Sequence, residues 1–243
     1  MFVYLGFDDT DVLGAEMGTG RMVRTFLRTL SPEFSSRGVL RHQHPRLEGI
    51  PYTSNNSSAC AVIDCPDGAL PALRELAAGF LVQNASPGSD PGLCVLPGEE
   101  VDATLVAYAL RTTGRRVSQA EAMAAVPAGA KDALLGLGGT NDGIIGAAAA
   151  VGLTKHGWCG RFIEYGGLRA LGEGASVEDL SRCGIRVVSV DRDPAAPLPE
   201  DVVFSGGWLR PSLLAGQPVL QVVAEGPGVW RTAHSKRPKG ARA

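Results

Sequence analysis

The chain begins with a short apolar run, Phe2–Phe7, that ends directly at an acidic cluster, Asp8-Asp9-Thr10-Asp11. A segment from about Thr19 to Leu30 follows, with its apolar residues at helical spacing. The order strand, acidic loop, amphipathic helix places three carboxylates at the end of a strand and before a helix. This start predicts a fold that alternates strands and helices.

The next stretch continues the alternation. Ser58–Ile63 is predicted as a strand, and a helix whose apolar face includes Leu70 and Phe80 follows it, with Asp67 as its expected cap. Leu93–Leu96 is predicted as a further strand. A strand–helix–strand segment of this length is typical of half a ferredoxin-like domain.

Later segments complete the predicted α/β (α+β) class. Helices are expected over Glu99–Thr112, after the capping box that begins at Ser118, and after a second such pattern at Ser176. The other predicted elements are an Ala-rich buried helix over Ile144–Val151 and strands over Leu134–Leu137, Arg161–Tyr165, Ile185–Val190 and Val219–Ala224.

Composition excludes several classes of protein. The 243 residues are 44% hydrophobic, enough for a packed core of one large or two modest domains. No run of roughly 18 apolar residues is present, and the N-terminus lacks a secretory pattern, so we expect no membrane span. The five cysteines are scattered and form no C-x-x-C pair, which argues against disulfides or a zinc ribbon and favours a cytoplasmic protein.

Charge is unevenly distributed along the chain. The net charge is −2, but the region from Arg231 onward carries five basic residues and no acid. The remainder has a net charge of −7, and aromatic residues make up only 6% of the chain, so a general nucleic-acid surface is not expected. The basic tail is interpreted either as a frayed, solvated end or as a contact for RNA or an acidic partner.

The acidic cluster is the first candidate site. Asp8, Asp9 and Asp11 repel one another unless a cation offsets their charge, and Mg²⁺ combines one or two carboxylates with phosphate oxygens. The alternative interpretation is a solvated acidic turn with an Asp as helix cap. Spacing alone leaves both open.

A glycine-rich loop directly before the Ala-rich helix is the second candidate. Glycines allow backbone amides to approach a phosphate, and a helix N-terminus adds partial positive charge. The loop is neither a Walker A sequence nor G-x-G-x-x-G, and ordinary helix capping is the alternative. Its residues are Gly138, Gly139, Thr140, Asn141 and Gly143.

Two further patches carry weaker signals. Thr19, in Met17-Gly18-Thr19, is interpreted as a helix cap or as a group that holds or accepts a phosphoryl group. Arg46, Asn55 and Asn56 precede a strand and could bind a polar substrate, although Asn pairs also favour turns.

Taken together and in this order, these patches resemble the tRNA-Ile 2-agmatinylcytidine synthetase family. That family has a strand running into Asp-Asp-Thr-Asp, then Met-Cys-Thr-Thr, an Arg-Leu…Ile-Pro…Thr-x-Asn stretch, and Gly-Leu-Ile-Gly-Ala-x-Ala-Ala. The counterparts here are Asp8–Asp11, Met17–Thr19, Arg46–Asn56 and Gly143–Ala150, and Ser89-Asp90-Pro91-Gly92 is similar to another loop of the family.

The resemblance implies an unusual kinase-like domain combined with a ferredoxin-like unit. It implies a kinase-like ATP and magnesium domain over 1–57 and 98–225, part of a ferredoxin-like unit over 58–97, and a basic, flexible tail over 226–243. In the family, ATP phosphorylates the C2 oxygen of a tRNA cytidine and agmatine displaces the phosphate. Carried over, Asp8, Asp9 and Asp11 hold Mg²⁺, Thr19 becomes phosphorylated, and Arg46, Asn55 and Asn56 contact substrate. The nucleotide phosphates fall to Gly138, Gly139, Thr140, Asn141, Gly143 and Gly146.

Some features depart from the family pattern. Gly18 and Gly20 replace the Cys and the second Thr of the Met-Cys-Thr-Thr segment. Within the 243 residues we also expect no counterpart of the OB-fold and zinc ribbon that help the family bind tRNA. We therefore expect an ATP- and Mg-dependent kinase or kinase-coupled ligase that activates a carbonyl oxygen of a small molecule or nucleotide, without tRNA agmatinylation by this chain alone. The alternatives are a nucleotide-binding regulatory protein without turnover and an RNA-binding subunit of a larger modification complex.

Overall fold

The computed structural model describes residues 1–50, 52–53, 55–190 and 195–233. Within these ranges it contains six α-helices and twelve strands, and the strands form one large mixed sheet. The helices are α1 Thr19–Leu27, α2 Leu70–Asn84, α3 Ala103–Arg111, α4 Gln119–Ala125, α5 Gly143–His156 and α6 Val177–Arg182. The strands are β1 Phe2–Asp8, β2 Ser35–Gln43, β3 Ser57–Asp64, β4 Gly92–Pro97, β5 Leu134–Gly136, β6 Arg161–Glu164, β7 Ala175–Ser176, β8 Arg186–Ser189, β9 Val202–Phe204, β10 Ser212–Leu214, β11 Gln217–Gly226 and β12 Val229–Thr232.

The predicted α+β class is confirmed, and most of the predicted elements are present. Both capping patterns form: Ser118 and Glu121 make a reciprocal box, and the Ser176 hydroxyl accepts the Asp179 amide. The expected cap at Asp67 is wrong, because α2 begins at Leu70 without a side-chain cap. The Asp67 carboxylate instead lies 3.6 Å from the terminal amine of Met1.

The first six elements form a ferredoxin-like unit. Their order is β1–α1–β2–β3–α2–β4, and the strands pair antiparallel in the spatial order β4-β1-β3-β2. This is the split βαβ arrangement of the ferredoxin-like motif. The unit thus spans residues 2–97, so the strand and helix at the start of the chain belong to it as well as the predicted 58–97 portion. The division of the whole chain into domains stays a prediction.

The sheet continues beyond β2 through β6, β10, β11, β12, β9 and β7, with β8 parallel to β11. Part of the expected flexible tail, 226–243, lies in this sheet. Val229–Thr232 form β12, which pairs with β11 and β9, and Trp230 is buried. Trp230 and Thr232 are buried and alternate with the half-buried Val229 and Arg231, as expected when one face of a strand packs on a core. Residues 234–243 lie outside the described residues.

Helices cover both faces of the ferredoxin-like sheet. Val3, Leu5 and Phe7 of β1 face the core beneath α1 and α2, whereas Tyr4 faces the core formed with α3, α4 and α5. Because side chains alternate along a strand, Asp8 projects toward the α5 face with Tyr4. None of the helices in the described ranges combines the length and apolar character needed to cross a bilayer.

Helix α5 lies unusually close to β1. A Cβ at Gly6 would overlap the backbone carbonyl of Ala147, and a Cβ at Gly146 would overlap the Asp8 carboxylate. Small side chains along α5 therefore set the distance between helix and sheet. This contact brings the first turn of α5 to the carboxyl end of β1.

Candidate functional site at the start of helix α5

A cavity of about 450 Å³ opens where β1 ends and α5 begins. Asp8 and Asp9 form one wall, and Asp142, Ile145 and Gly146 from the first turn of α5 adjoin it. Asp9 has a φ of 50°, in the left-handed region that few residues other than Gly, Asn and Asp adopt. Its backbone is therefore held in a strained conformation at this wall, as often occurs at functional sites.

The two carboxylates on this wall are strongly perturbed. Burial, reinforced by the charge of Asp9, raises the pKa of Asp8 to about 7. Burial and the charge of Asp90 raise the pKa of Asp9 to about 6, and Asp11 and Asp142 add to the repulsion. The site therefore gathers like charge at partly buried positions, and a cation would offset that charge.

The glycine loop before α5 packs on the loop that contains Asp90. The Asp90 carboxylate fills the space beside Gly139 and accepts a hydrogen bond from the Thr140 hydroxyl, while its carbonyl accepts the Gly143 amide at 3.1 Å. Asn141 has a φ of 65°, in the left-handed region that Asn adopts more readily than most residues. Asp142 of this loop and Gly146 after it line the cavity. The other residues predicted to bind phosphate lie behind the lining and are Gly138, Gly139, Thr140, Asn141 and Gly143.

A second wall of the cavity is basic. Arg115 and Arg116 line the cavity together with Ser118 and Gln119, at the start of α4. Arg115 is paired with Glu121, with 2.6 Å between Nη2 and Oε1, and no ion pair of Arg116 occurs among the described residues. Gln119 connects the two walls, because its Nε2 donates to Asp142 Oδ1 at 2.6 Å. The cavity therefore has an acidic side and a basic side.

A neutral histidine forms part of the interior wall. His44 Nε2 lies 2.7 Å from the Ser58 hydroxyl, and burial lowers the pKa of His44 to about 4. Asn56 closes the neighbouring turn, since its Nδ2 donates to the Pro45 carbonyl at 2.8 Å. Among the three residues predicted to contact substrate, Asn56 lines the cavity.

The other predicted residues lie beside the cavity rather than on its wall. The Thr19 hydroxyl donates to Asp11 Oδ1 at 3.3 Å and accepts from Thr10, and Thr53 donates to Asp11 Oδ2 at 3.2 Å. Thr19 is buried at the first position of α1. Asp11 is thus fixed by two hydroxyl groups, and neither it nor Thr19 lines the cavity.

Arg46 and Asn55 also lie away from the cavity lining. The Arg46 guanidinium stacks 5.0 Å from the ring centre of Tyr52, which fixes it at the surface of the turn. Asn55 is exposed. The structure therefore separates these two residues from Asp8 and Asp9, with which the sequence interpretation grouped them.

Sequence reasoning did not select several residues of the site. Asp90 lies in a stretch that is similar to a loop of the family but has no predicted role, and Asp142 lies inside the glycine loop. Arg115 and Arg116 had no sequence signal beyond two adjacent basic residues between helices. The capping box at Ser118 is the one local pattern that could have directed attention to this wall.

The acidic wall fits a cation that needs few protein ligands. The described residues contain no group of three His, Cys, Asp or Glu side chains placed to hold a metal ion. Asp8 and Asp9 offer two carboxylates in a cavity large enough to admit phosphate oxygens. This donor set suits Mg²⁺, which commonly takes one or two carboxylates together with phosphate and water.

No protein-family model matches the chain. No curated protein sequence matches it either. Solved structures do match. A tRNA fluorescent labeling enzyme is 23% identical, with a TM-score of 0.51 over 63% of this chain and 36% of that one. TiaS, an agmatidine synthetase that acts on an isoleucine tRNA, is similar in two complexes.

The complex of TiaS with its isoleucine tRNA and ATP is 22% identical, with a TM-score of 0.52 over 63% of this chain and 36% of that one. The complex with the same tRNA, AMPCPP and agmatine is 21% identical, with a TM-score of 0.53 over 74% and 43% of the two chains. This chain therefore spans less than half the length of these relatives. The resemblance predicted from the ordered motifs is confirmed at the level of the fold: the chain is folded like part of TiaS.

Proposed function

We propose that this protein is an ATP- and Mg-dependent phosphoryl-transfer enzyme, related to the tRNA-Ile 2-agmatinylcytidine synthetases. The observation that carries the proposal is the cavity of about 450 Å³ with Asp8 and Asp9 on one wall and Arg115 and Arg116 on the other. A magnesium–nucleotide complex presents both charges that such walls recognise. The fold shared with TiaS supports the same assignment, since TiaS was solved with ATP.

The acidic wall is assigned to the metal. Asp8 and Asp9 would hold Mg²⁺. Asp11 accepts hydrogen bonds from Thr19 and Thr53 and would add negative charge close to the metal. When bound, Mg²⁺ neutralises charge on the phosphate oxygens and aligns them for transfer. Burial and neighbouring carboxylates raise the pKa values of Asp8 and Asp9, so their ionised forms are costly in the absence of a cation. A bound cation would offset this cost, which supports the assignment.

The basic wall and the start of α5 are assigned to the phosphates. Among the described residues Arg116 forms no ion pair, so it is available to a phosphate, whereas Arg115 is held in an ion pair with Glu121. The first turn of α5, at Ile145 and Gly146, presents the positive end of the helix dipole to the cavity. The glycine loop, Gly138 to Gly143, then acts by setting where this turn lies against Asp90.

The acceptor is proposed to be a carbonyl oxygen of a small molecule or nucleotide. In such a step a bond forms between that oxygen and the terminal phosphorus, and the bridging bond to the departing ADP breaks. Asn56 and Gln119 line the cavity and carry amide groups suited to a polar acceptor. Thr19 enters the proposal as a positioning residue, because its hydroxyl donates to Asp11.

The test is Mg²⁺-dependent ATP binding, measured by calorimetric titration and by the melting temperature. Binding to the native state alone raises the melting temperature by mass action. We expect ATP with Mg²⁺ to raise it and ATP with chelator to raise it less. A chain that shows no shift at millimolar Mg²⁺ and ATP is not a nucleotide-dependent enzyme.

Turnover distinguishes the enzyme from a nucleotide-binding regulator. Release of ADP is followed with candidate acceptors that carry a carbonyl oxygen, including cytidine nucleotides and tRNA. The Asp9→Asn variant is the negative control, and Asp67→Asn, at an exposed carboxylate beside the chain terminus, is the matched positive control. Mg²⁺–ATP binding without acceptor-dependent ADP release would favour the regulatory alternative.

A further inference from the structure

A second charged cavity lies on the other side of the sheet. It has a volume of about 500 Å³, and its lining includes Arg41, Arg161 and Arg210. Arg41 and Gln43 of β2 alternate with His42 and His44, so they project from the opposite face of the strand. His44 lines the cavity beside Asp8 and Asp9, and the arginine cavity is therefore a separate site.

The three arginines come together through the sheet. Arg41 on β2 and Arg161 on β6 are directly opposed across an antiparallel pair, and Arg161 is opposed in turn to Ser212 on β10. Arg210 lies two residues before Ser212. Like charges placed opposite each other destabilise a sheet unless something offsets them.

No carboxylate within the described ranges offsets these charges. The ion pairs there join other residues, and none includes Arg41, Arg161 or Arg210. Arg41 donates instead to neutral groups, the Ser57 hydroxyl at 3.0 Å and Gln43 Oε1 at 3.4 Å. Burial, followed by the charge of Arg210, lowers the pKa of both Arg41 and Arg161. The part of the chain that the structure describes therefore supplies no compensating anion to this cavity.

An aromatic surface adjoins the arginines. Trp158 lines the same cavity and is 60% exposed. Trp208, 62% exposed, lines a neighbouring cavity of about 320 Å³ that also includes Arg161 and Arg210. An exposed indole beside guanidinium groups is suited to a ligand that carries a flat ring next to an anion.

We propose that Arg41, Arg161 and Arg210 form a second binding site for a nucleotide phosphate, with the base of that nucleotide stacked on Trp158. The ligand is either a free mononucleotide or one unit of single-stranded RNA. Both carry the same chemistry, a phosphate next to an aromatic base. Arg161 and Arg210 line both the cavity beside Trp158 and the one beside Trp208, and they would bind the phosphate. Trp158 would select for the attached ring.

The experiment is a titration followed by tryptophan fluorescence and calorimetry, with AMP, adenosine, inorganic phosphate and a short single-stranded RNA oligonucleotide as probes. We expect AMP or the RNA to bind and to quench the tryptophan fluorescence, and adenosine to bind far more weakly. RNA that binds more than tenfold tighter than AMP identifies the strand as the ligand, whereas equal affinity identifies the free nucleotide. Adenosine that binds as tightly as AMP would overturn the proposal.

Variants separate this site from the cavity at the start of α5. Arg210→Ala, at an exposed position, should weaken binding about tenfold, as expected for loss of a charged hydrogen bond. Arg182→Ala, which removes an exposed arginine paired with Glu178, is the matched control and should leave binding unchanged. Arg116→Ala should also leave the change in tryptophan fluorescence unaltered. Binding that is equal in the parent and in Arg210→Ala contradicts the assignment.

A second measurement tests the repulsion among the three arginines through the melting temperature. Arg161→Gln should raise the melting temperature in buffer free of phosphate, because it relieves repulsion with Arg41 and Arg210. It should also abolish the gain in melting temperature that phosphate gives to the parent. A variant that melts lower than the parent, and still gains from phosphate to the same extent, would show that the arginines do not form an anion site.

Discussion

The Asp8 carboxylate occupies the space that a side chain on Gly146 would need. A Cβ at Gly146 would overlap that carboxylate, because the first turn of α5 lies directly on the end of β1. The position of an acidic group in the candidate site thus depends on the absence of one methyl group on a helix more than a hundred residues later. Packing and chemistry are coupled at this point.

Gly146→Ala is expected to displace the Asp8 carboxylate and to weaken Mg²⁺–ATP binding by roughly tenfold or more, while destabilising the fold by about 1–3 kcal/mol through overpacking. The matched control is Gly79→Ala in α2, where a Cβ would meet no atom within 4 Å. That change should stabilise by about 0.5–1 kcal/mol, since Ala favours the helix. Urea unfolding and calorimetric titration measure both. Equal nucleotide affinity in the two variants would separate Gly146 from the site.

Asp8→Asn is expected to stabilise the protein without ligand and to remove the Mg²⁺ dependence of ATP binding. An amide carries no charge to repel Asp9 and Asp11, and it is less costly than a carboxylate at a partly buried position. Melting temperatures measured with and without Mg²⁺–ATP check both effects. Asp67→Asn serves as the control, because its carboxylate is exposed. A variant that melts below the parent and still responds to Mg²⁺ contradicts this prediction.

The start of the site could be predicted from the sequence because its signals are local. The apolar run that ends at Asp8 specifies a strand followed by carboxylates, and the small residues around Gly146 specify a helix that lies close to another element. The prediction that Asp8 and Gly146 belong to one site also depends on the family resemblance, in which the motifs occur in the same order. The carboxyl end of β1 and the start of α5 do meet in the structure.

The basic wall could not be predicted in the same way. Arg115 and Arg116 face the cavity because α3 and α4 pack on α5, and two adjacent arginines between helices do not by themselves predict that packing. β2 is not predicted from the sequence either, since its polar residues conceal the strand pattern. Arg41 and Gln43 border one cavity, while His42, and His44 just after the strand, are buried on the other side of the sheet. The ferredoxin-like order became visible only once β2 was placed beside β3.

Arg116→Ala is expected to reduce affinity for ATP by about tenfold and to reduce affinity for adenosine little, because it removes a cation that faces phosphate rather than the base. Arg111→Ala is the matched control, as it removes an exposed arginine stacked 5.8 Å from the ring centre of Tyr108 and outside the cavity lining. Calorimetric titrations at two salt concentrations measure the difference. Equal loss for ATP and adenosine would assign Arg116 a structural role instead.

The last prediction concerns stability in acid. His42 is buried, its Nε2 lies 2.8 Å from the Thr154 hydroxyl, and its Nδ1 has no hydrogen-bond partner among the described residues. Burial, with a contribution from His44, lowers the pKa of His42 to about 3, from 6.5 in the unfolded chain. Between these values the unfolded state binds a proton that the folded state does not, so stability falls as the pH falls below about 6.5.

A histidine that stays neutral in the fold should contribute about 2 kcal/mol to this loss by pH 5. The measurement is the free energy of unfolding in urea at pH 8, 6 and 5, for the parent and for His42→Asn. The shifted carboxyl groups of Asp8 and Asp9 act in the opposite direction, but they are common to both proteins and cancel in the difference. We expect the variant to be less stable than the parent at pH 8, because the contact with Thr154 changes, and to approach or exceed the parent at pH 5. Parallel curves for the two proteins would show that the fold does not lower the pKa of His42.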